Sequence, residues 1–258
     1  MSRECGLDHF MYINAGRVFR NAVEACFELS SPDLTSSLIQ RNALTSIVFA
    51  TVSAEAFINE LHHTACIWAS RPESPEWTKA LCEILGEAEK SRSSIESKYQ
   101  LAKFILSGRA FDKGAAPFQN FALLVDVRNL IVHAKPLDAI VGKDEHGKVV
   151  WTEPKVMVRL QEIGVAKVDD NLREIASKQQ SSQIITDLVA QISTRDTASW
   201  ACKSSSALVN AILDVVPKGF AKETDFAYRK DFTFEQQEPR KHGLRWISFP
   251  SDSTTVLP

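Results

Sequence analysis

The sequence predicts a mainly α-helical protein: a helical bundle carrying a small β-hairpin insert and a C-terminal extension of mixed character. Three observations predict it. Apolar residues recur three and four positions apart through most of the first half. Clusters of Ser, Pro, Gly and Asp interrupt that pattern at helical lengths. Beyond Pro136 the texture shifts to a short extended run and then returns to helix. With 258 residues, 44% hydrophobic and 24% charged, the chain is long enough to bury a sizeable core. Its 10 Gly and 10 Pro are too few for a collagen-like or disordered chain.

Residues 11 to 29 place Val18, Ala22, Ala25 and Cys26 on a helical repeat, and Ser30 to Asp33 break it. From about Ser36 to Ala69 one stripe carries Ile47, Thr51, Ala54, Ile58, Leu61 and Ala65. "SPEW" opens a third helix, with Ser74 as N-cap and Pro75 at the first helical position. A fourth spans 93 to 106. Gly114 and Pro117 open a fifth, from Pro117 to Ala134, and Pro136 closes it by pushing its predecessor out of the helical region. "KDEHGKVVW" reads as a turn into a strand at Val149 to Trp151. A short helix at 155 to 163 is stopped by Gly164, and further helices cover 184 to 193 and 195 to 216. Near the end, Phe226, Tyr228, Phe232 and Phe234 alternate with polar residues like a strand. The division this implies is a helical domain over 1–217, with its core at 10–137 and 184–216 and the β insert at about 138–165. An extension follows over 218–258.

Net charge is −2, from 30 basic and 32 acidic residues, and the pI is about 6.3. A general nucleic-acid binder is usually basic overall, so any contact with nucleic acid must be local. The five cysteines (Cys5, Cys26, Cys66, Cys82, Cys202) are odd in number and form no CxxC pair. The last four sit among apolar residues, where cysteine acts as a small hydrophobe. With no secretory leader in "MSRECGLDHF", the expected compartment is a reducing cytoplasm. No continuous apolar run approaches the ~18–20 residues of a membrane span.

One stretch, "VRNLIVHAKP" at 127 to 136, sets Arg128 and His133 in an otherwise apolar helix. Arg128 falls in line with Phe121, Val125 and Val132, and a guanidinium in such a row needs a partner because it cannot shed its proton. Asn129 and His133 share a second row with Asp126. On an ideal helix Arg128 and His133 point about 140° apart. They converge only through distortion, or by meeting counterparts from a second chain. Glu55, in "TVSAEAFINELHH", lies in line with Val48, Val52 and Asn59 and is the expected carboxylate partner of Arg128.

The stretches "FQNFALLVDVRNLIVHAKP" and "VSAEAFINEL" resemble HEPN domains, whose signature is Arg, four to six residues, then His, often with Asn after the Arg. The likeness covers roughly residues 10 to 137 and the helix at 195 to 216. It implies a dimeric, metal-independent endoribonuclease, commonly a toxin or antiphage defence effector. By the same likeness, His133 would act as general base or acid, a role suited to a side chain that titrates near neutrality. Arg128 would hold the scissile phosphate, Asn129 would orient phosphate or imidazole, and Lys135 would add a phosphate contact. Glu55 matches the family only as an inward polar residue. The implied partners are RNA, a second copy of the chain and an antitoxin or regulatory protein, with no membrane and no cofactor.

The alternative for Arg128 and His133 is structural, a helix-end ion network, and the matching alternative for the protein is a non-catalytic dimeric interaction module. His62 and Cys66, spaced i, i+4, invite a metal reading, but no completing pair is visible and no metal is expected. GxxxxGK[ST], GxGxxG and GxSxG are all absent. The serines of "RDTASWACKSSSALVNAIL" are expected on a solvated face. The late aromatics and their basic neighbours could stack bases, although edge-strand packing or a dimer arm is the preferred reading.

Overall fold

The first helix has no side-chain cap of its own, and its N-terminal donors are met from elsewhere in the chain. The computed structural model describes residues 14–133, 140–143, 149–152, 154–166, 188–217, 220 and 228–234. In it α1 (Ala15–Glu28) begins where the Glu60 carboxylate accepts the N–H groups of Asn14 at 2.7 Å and Ala15 at 3.0 Å. A carboxylate there satisfies orphan donors and complements the helix dipole. Glu60 belongs to α2 (Ser36–Ala69), which is capped by Thr35 and, at 34 residues, is about 51 Å long by the 1.5 Å helical rise.

α2 is the central element, packed against α1, α3 (Glu76–Lys90), α4 (Ile95–Ser107), α5 (Phe118–His133) and the late helix Arg195–Leu213. Its buried face is rich in small residues, Ala43, Ser46, Ala50, Ser53, Ala54 and Ala65, so neighbouring backbones approach closely. By composition α2 could cross a bilayer (mean hydropathy 1.2 over its most apolar window), yet half of that window is buried inside the bundle. α3 starts at Glu76 with Pro75 as its N-cap residue, one position later than expected, while the Ser74 hydroxyl bonds the Thr78 hydroxyl at 2.5 Å. α4 ends on Gly108 at φ 70, a left-handed closure that favours glycine.

After α5, β1 (Ile140–Lys143) pairs antiparallel with β2 (Val149–Thr152), Val141 opposite Trp151. Among the described residues three helices follow: α6 (Lys155–Glu162), α7 (Leu188–Ile192) and α8 (Arg195–Leu213). Gly164 at φ 73 closes α6, as its position in the sequence suggests. Of the helix expected at 184–193, residues 184–187 lie outside the described residues. α8 is three residues shorter than expected, ending in a turn over 214–216.

Two expectations fail in α8 and beyond it. The run Ser204, Ser205 and Ser206 is buried, not solvated. Ser205 faces Ser53 of α2 at 3.4 Å and Ser206 donates to the Phe232 carbonyl at 2.5 Å. Small hydroxyls let α8 nest against α2; Ser205 and Ser206 find partners there, while Ser204 Oγ is buried without one among the described residues. The aromatics also form no strand: residues 228–231 make one helical turn, and Phe232 N–H returns to the Tyr228 carbonyl at 2.8 Å. Alternation gives way because an i, i+4 pair, Tyr228 and Phe232, puts both rings on the inner side of one turn. Phe232 stacks on Phe19 at 4.7 Å and Tyr228 meets Phe57 edge-on at 5.0 Å, so neither ring is available to bases. Phe226 and the basic residues Arg240, Lys241 and Arg245 lie outside the described residues.

This turn is locked by polar groups. The Tyr228 hydroxyl donates to Glu60 at 2.5 Å, and its own ionisation is pushed far above the usual tyrosine range by burial first and then by the Glu60 charge. Arg20 pairs with Asp231 at 2.9 Å. Gly16 makes the approach possible, since a Cβ there would lie 2.3 Å from an Asp231 carboxylate oxygen and 2.6 Å from its Cβ. Gly16→Ala is therefore expected to cost about 1–3 kcal/mol, as overpacking does. Urea midpoints check this, and Asp231→Gly in the same chain should relieve most of the loss.

Between α3 and α4, the nearly buried Lys98 ammonium donates to Glu89 and reaches the Asn59 side chain at 3.4 Å. The Lys98 hydrogen bond and charge hold the Glu89 carboxyl below its usual range, against a smaller opposing push from burial. A depressed carboxyl adds stability above its unfolded value of about 4.3, and that stability is lost as pH falls through the folded value. Glu89 is 60% exposed, so screening keeps the effect small. Glu89→Gln is expected to cost about 1 kcal/mol at pH 7. The gap between variant and wild type in urea titrations should close as pH drops below about 4.

Candidate functional site

α2 and α5 cross so that Glu55 and Arg128 meet at the edge of the core. The row containing Arg128 runs from inside to outside: Phe121 and Val125 are buried and Val132 is 53% exposed. Arg128 stands at the border, its side chain 21% exposed. Its Nη2 donates to Glu55 Oε2 at 3.4 Å, so the pair expected from the two helical rows is formed. The contact is long and one-toothed, where the strong arginine–carboxylate geometry is a shorter, two-toothed fork. Arg128 Nε is buried and has no hydrogen-bond partner among the described residues. The guanidinium is thus anchored at one corner with donor capacity left over.

Asn129 is half-buried one step round the helix, and His133 is exposed at the last residue of α5. Among the described residues no hydrogen bond or ion pair joins His133 to Arg128 or Glu55. Among the described residues the chain brings Glu55 and Arg128 together and does not bring the imidazole to them, in keeping with the angular separation on α5. Lys135 lies outside the described residues.

Sequence reasoning did not anticipate the surroundings. Asp126, on the row of Asn129 and His133, faces Arg159 of α6 at 3.4 Å. Burial raises the Asp126 carboxyl from its usual value, Arg159 opposes the rise and Glu96 adds to it. The one signal available beforehand was that shared row, because Arg159 arrives from a helix beyond the β pair. Exposed apolar side chains flank the site, Val52 three residues before Glu55 and Val132 four after Arg128.

The half-buried cysteines also depart from expectation. Cys66 and Cys82 are not merely small hydrophobes, because a disulfide joins them and ties α2 to α3. The other cysteines among the described residues, Cys26 and Cys202, are buried thiols. Comparison with family models, with curated proteins and with solved structures finds no match to this chain.

Proposed function

We propose that this chain is a HEPN-like, metal-independent endoribonuclease that acts as a homodimer in the cytoplasm, in the manner of a toxin or defence effector held in check by a partner protein. The observation that carries the reading is the state of Arg128: a permanent cation at the core's edge, held by one long bond and keeping an unpaired donor. A phosphate offers such a guanidinium the acceptors that Glu55 leaves unmet. In this reading residues 10–137 with α8 form the HEPN-like bundle, and the β1–β2 pair belongs to a hairpin insert.

Two copies of α5 meeting about a twofold axis would bring two exposed His133 rings to one ribose-phosphate. One imidazole takes the proton of the 2′-hydroxyl as that oxygen attacks phosphorus. The other delivers a proton to the departing 5′-oxygen as its bond to phosphorus breaks. Arg128 neutralises the charge that grows on the non-bridging oxygens, Asn129 orients phosphate or ring, and Lys135 adds a contact to a neighbouring phosphate. The products are a 2′,3′-cyclic phosphate and a 5′-hydroxyl, and DNA, which lacks the attacking group, is left intact. The exposed Val52 and Val132 supply apolar area for such a dimer face. The second reading, a non-catalytic dimeric module, is favoured by the separation of His133 from Arg128 within one chain.

The test is incubation of the purified chain with total RNA and tRNA in EDTA. Cyclic-phosphate ends from the wild type, absent with His133→Ala and Arg128→Ala, are the expected result. Cleavage that needs a divalent ion, or that survives His133→Ala, overturns the nuclease reading. No cleavage by a chain shown to be dimeric leaves the binding module.

A further inference from the structure

The cluster formed by His62, Cys66 and Cys82 lies outside the α5 site. His62 and Cys66 are one turn apart on α2, and Cys82 faces them from α3. Their donor atoms all lie within 4.8 Å of one another, and all three side chains are half-buried. His62 Nε2 bonds the Cys82 carbonyl oxygen at 3.0 Å. A carbonyl only accepts, so Nε2 carries the hydrogen and the neutral ring keeps a lone pair on its other nitrogen. A backbone carbonyl fixing the tautomer is the usual outer support of a metal-bound histidine.

From this we infer that the reduced chain binds a thiophilic divalent ion, zinc by preference, through His62, Cys66 and Cys82. Metal and disulfide are then alternative states of one site. One imidazole and two thiolates suit zinc, and three protein donors leave a fourth position for water. A dithiol reductant opens the switch: the Cys66–Cys82 bond takes up two electrons and two protons while the reductant becomes a disulfide. Zinc then displaces both thiol protons. Zn–S bonds of about 2.3 Å require the two sulfurs to part to about 3.8 Å, within the compass of the present cluster. Oxidation by a disulfide reverses the exchange and releases the ion. Either state clamps α2 to α3, so the fold holds in both. The inference is independent of the ribonuclease reading, whose site is metal-free.

The full chain, reduced with a phosphine and handled without oxygen, is titrated with cobalt(II) chloride. One cobalt per chain with a thiolate-to-metal charge-transfer band is expected, and no band from the oxidised chain. Cys66→Ser and Cys82→Ser should abolish the band, and His62→Ala should weaken binding by about tenfold or more. The double variant Cys26→Ser, Cys202→Ser should keep it. A reduced wild type without the band, a band that survives Cys82→Ser, or unchanged affinity in His62→Ala overturns the proposal. A readout free of variants uses the wild type alone. Bound zinc should slow alkylation of Cys66 and Cys82, and equal alkylation with and without zinc counts against the site.

Discussion

Phe232→Ala is expected to lower the unfolding free energy by about 3–5 kcal/mol, the range for emptying a buried phenylalanine site. Phe232 is fully buried, stacked on Phe19 of α1 at 4.7 Å and meeting Phe57 of α2 at 5.9 Å. Its carbonyl accepts from the Ser206 hydroxyl at 2.5 Å and from Asn210 Nδ2 at 3.2 Å, which fastens the turn to α8. Those bonds keep the backbone in place when the ring is removed, so the cavity collapses poorly and the cost stays near the top of the range. Urea denaturation should show a lower midpoint with an unchanged slope. Phe232→Leu, which keeps apolar volume, should lose less than half as much. A wild-type midpoint for Phe232→Ala would mean that the 228–234 turn contributes nothing to the core.

Under the proposed ribonuclease function, Arg128→Ala is expected to separate activity from stability. Glu55 is 44% exposed and its bond to Arg128 is long, so their pairing resembles a surface ion pair worth at most about 1 kcal/mol. Truncation also removes the unpaired buried Nε, which offsets part of that loss. Removing a donor that stabilises charge in the transition state costs far more, about 10²–10³ in rate. The expected pattern is therefore a near-wild-type urea midpoint with cyclic-phosphate formation down by about 10²–10³. Arg128→Lys should recover only a minor part, because an ammonium replaces the planar fork with a point charge. A large fall in stability with cleavage intact would make the pair structural.

Much of the helical bundle was legible in the residues. The stripes of α1 and α2 survive because their positions at three and four face the same core, whereas the caps Thr35 and Ser94 were not singled out and the expected cap Ser74 stands one position before the cap residue Pro75. The Arg128–Glu55 contact was legible too, because a charge on an apolar row requires an opposite charge within reach. Cys82 could not be matched to His62 and Cys66 from spacing, and Glu60 gave no sign of its double task at Asn14 and Tyr228. Those contacts join positions 14, 60 and 228, or 66 and 82, and depend on how helices cross. The strand expected around Tyr228 failed for the same reason: alternation over so few residues is weak, and burial against Phe19 and Phe57 outweighs it.

By itself the sequence determined a helical class, the course of the main helices and the pairing of Arg128 with Glu55, because periodicity and charge are local properties of the chain. Only the tertiary structure decided that the serines of α8 are interior, that the late aromatics complete the core and that Arg128 keeps a donor in reserve. Those outcomes depend on which surfaces meet, and burial free energy accrues to the assembled faces.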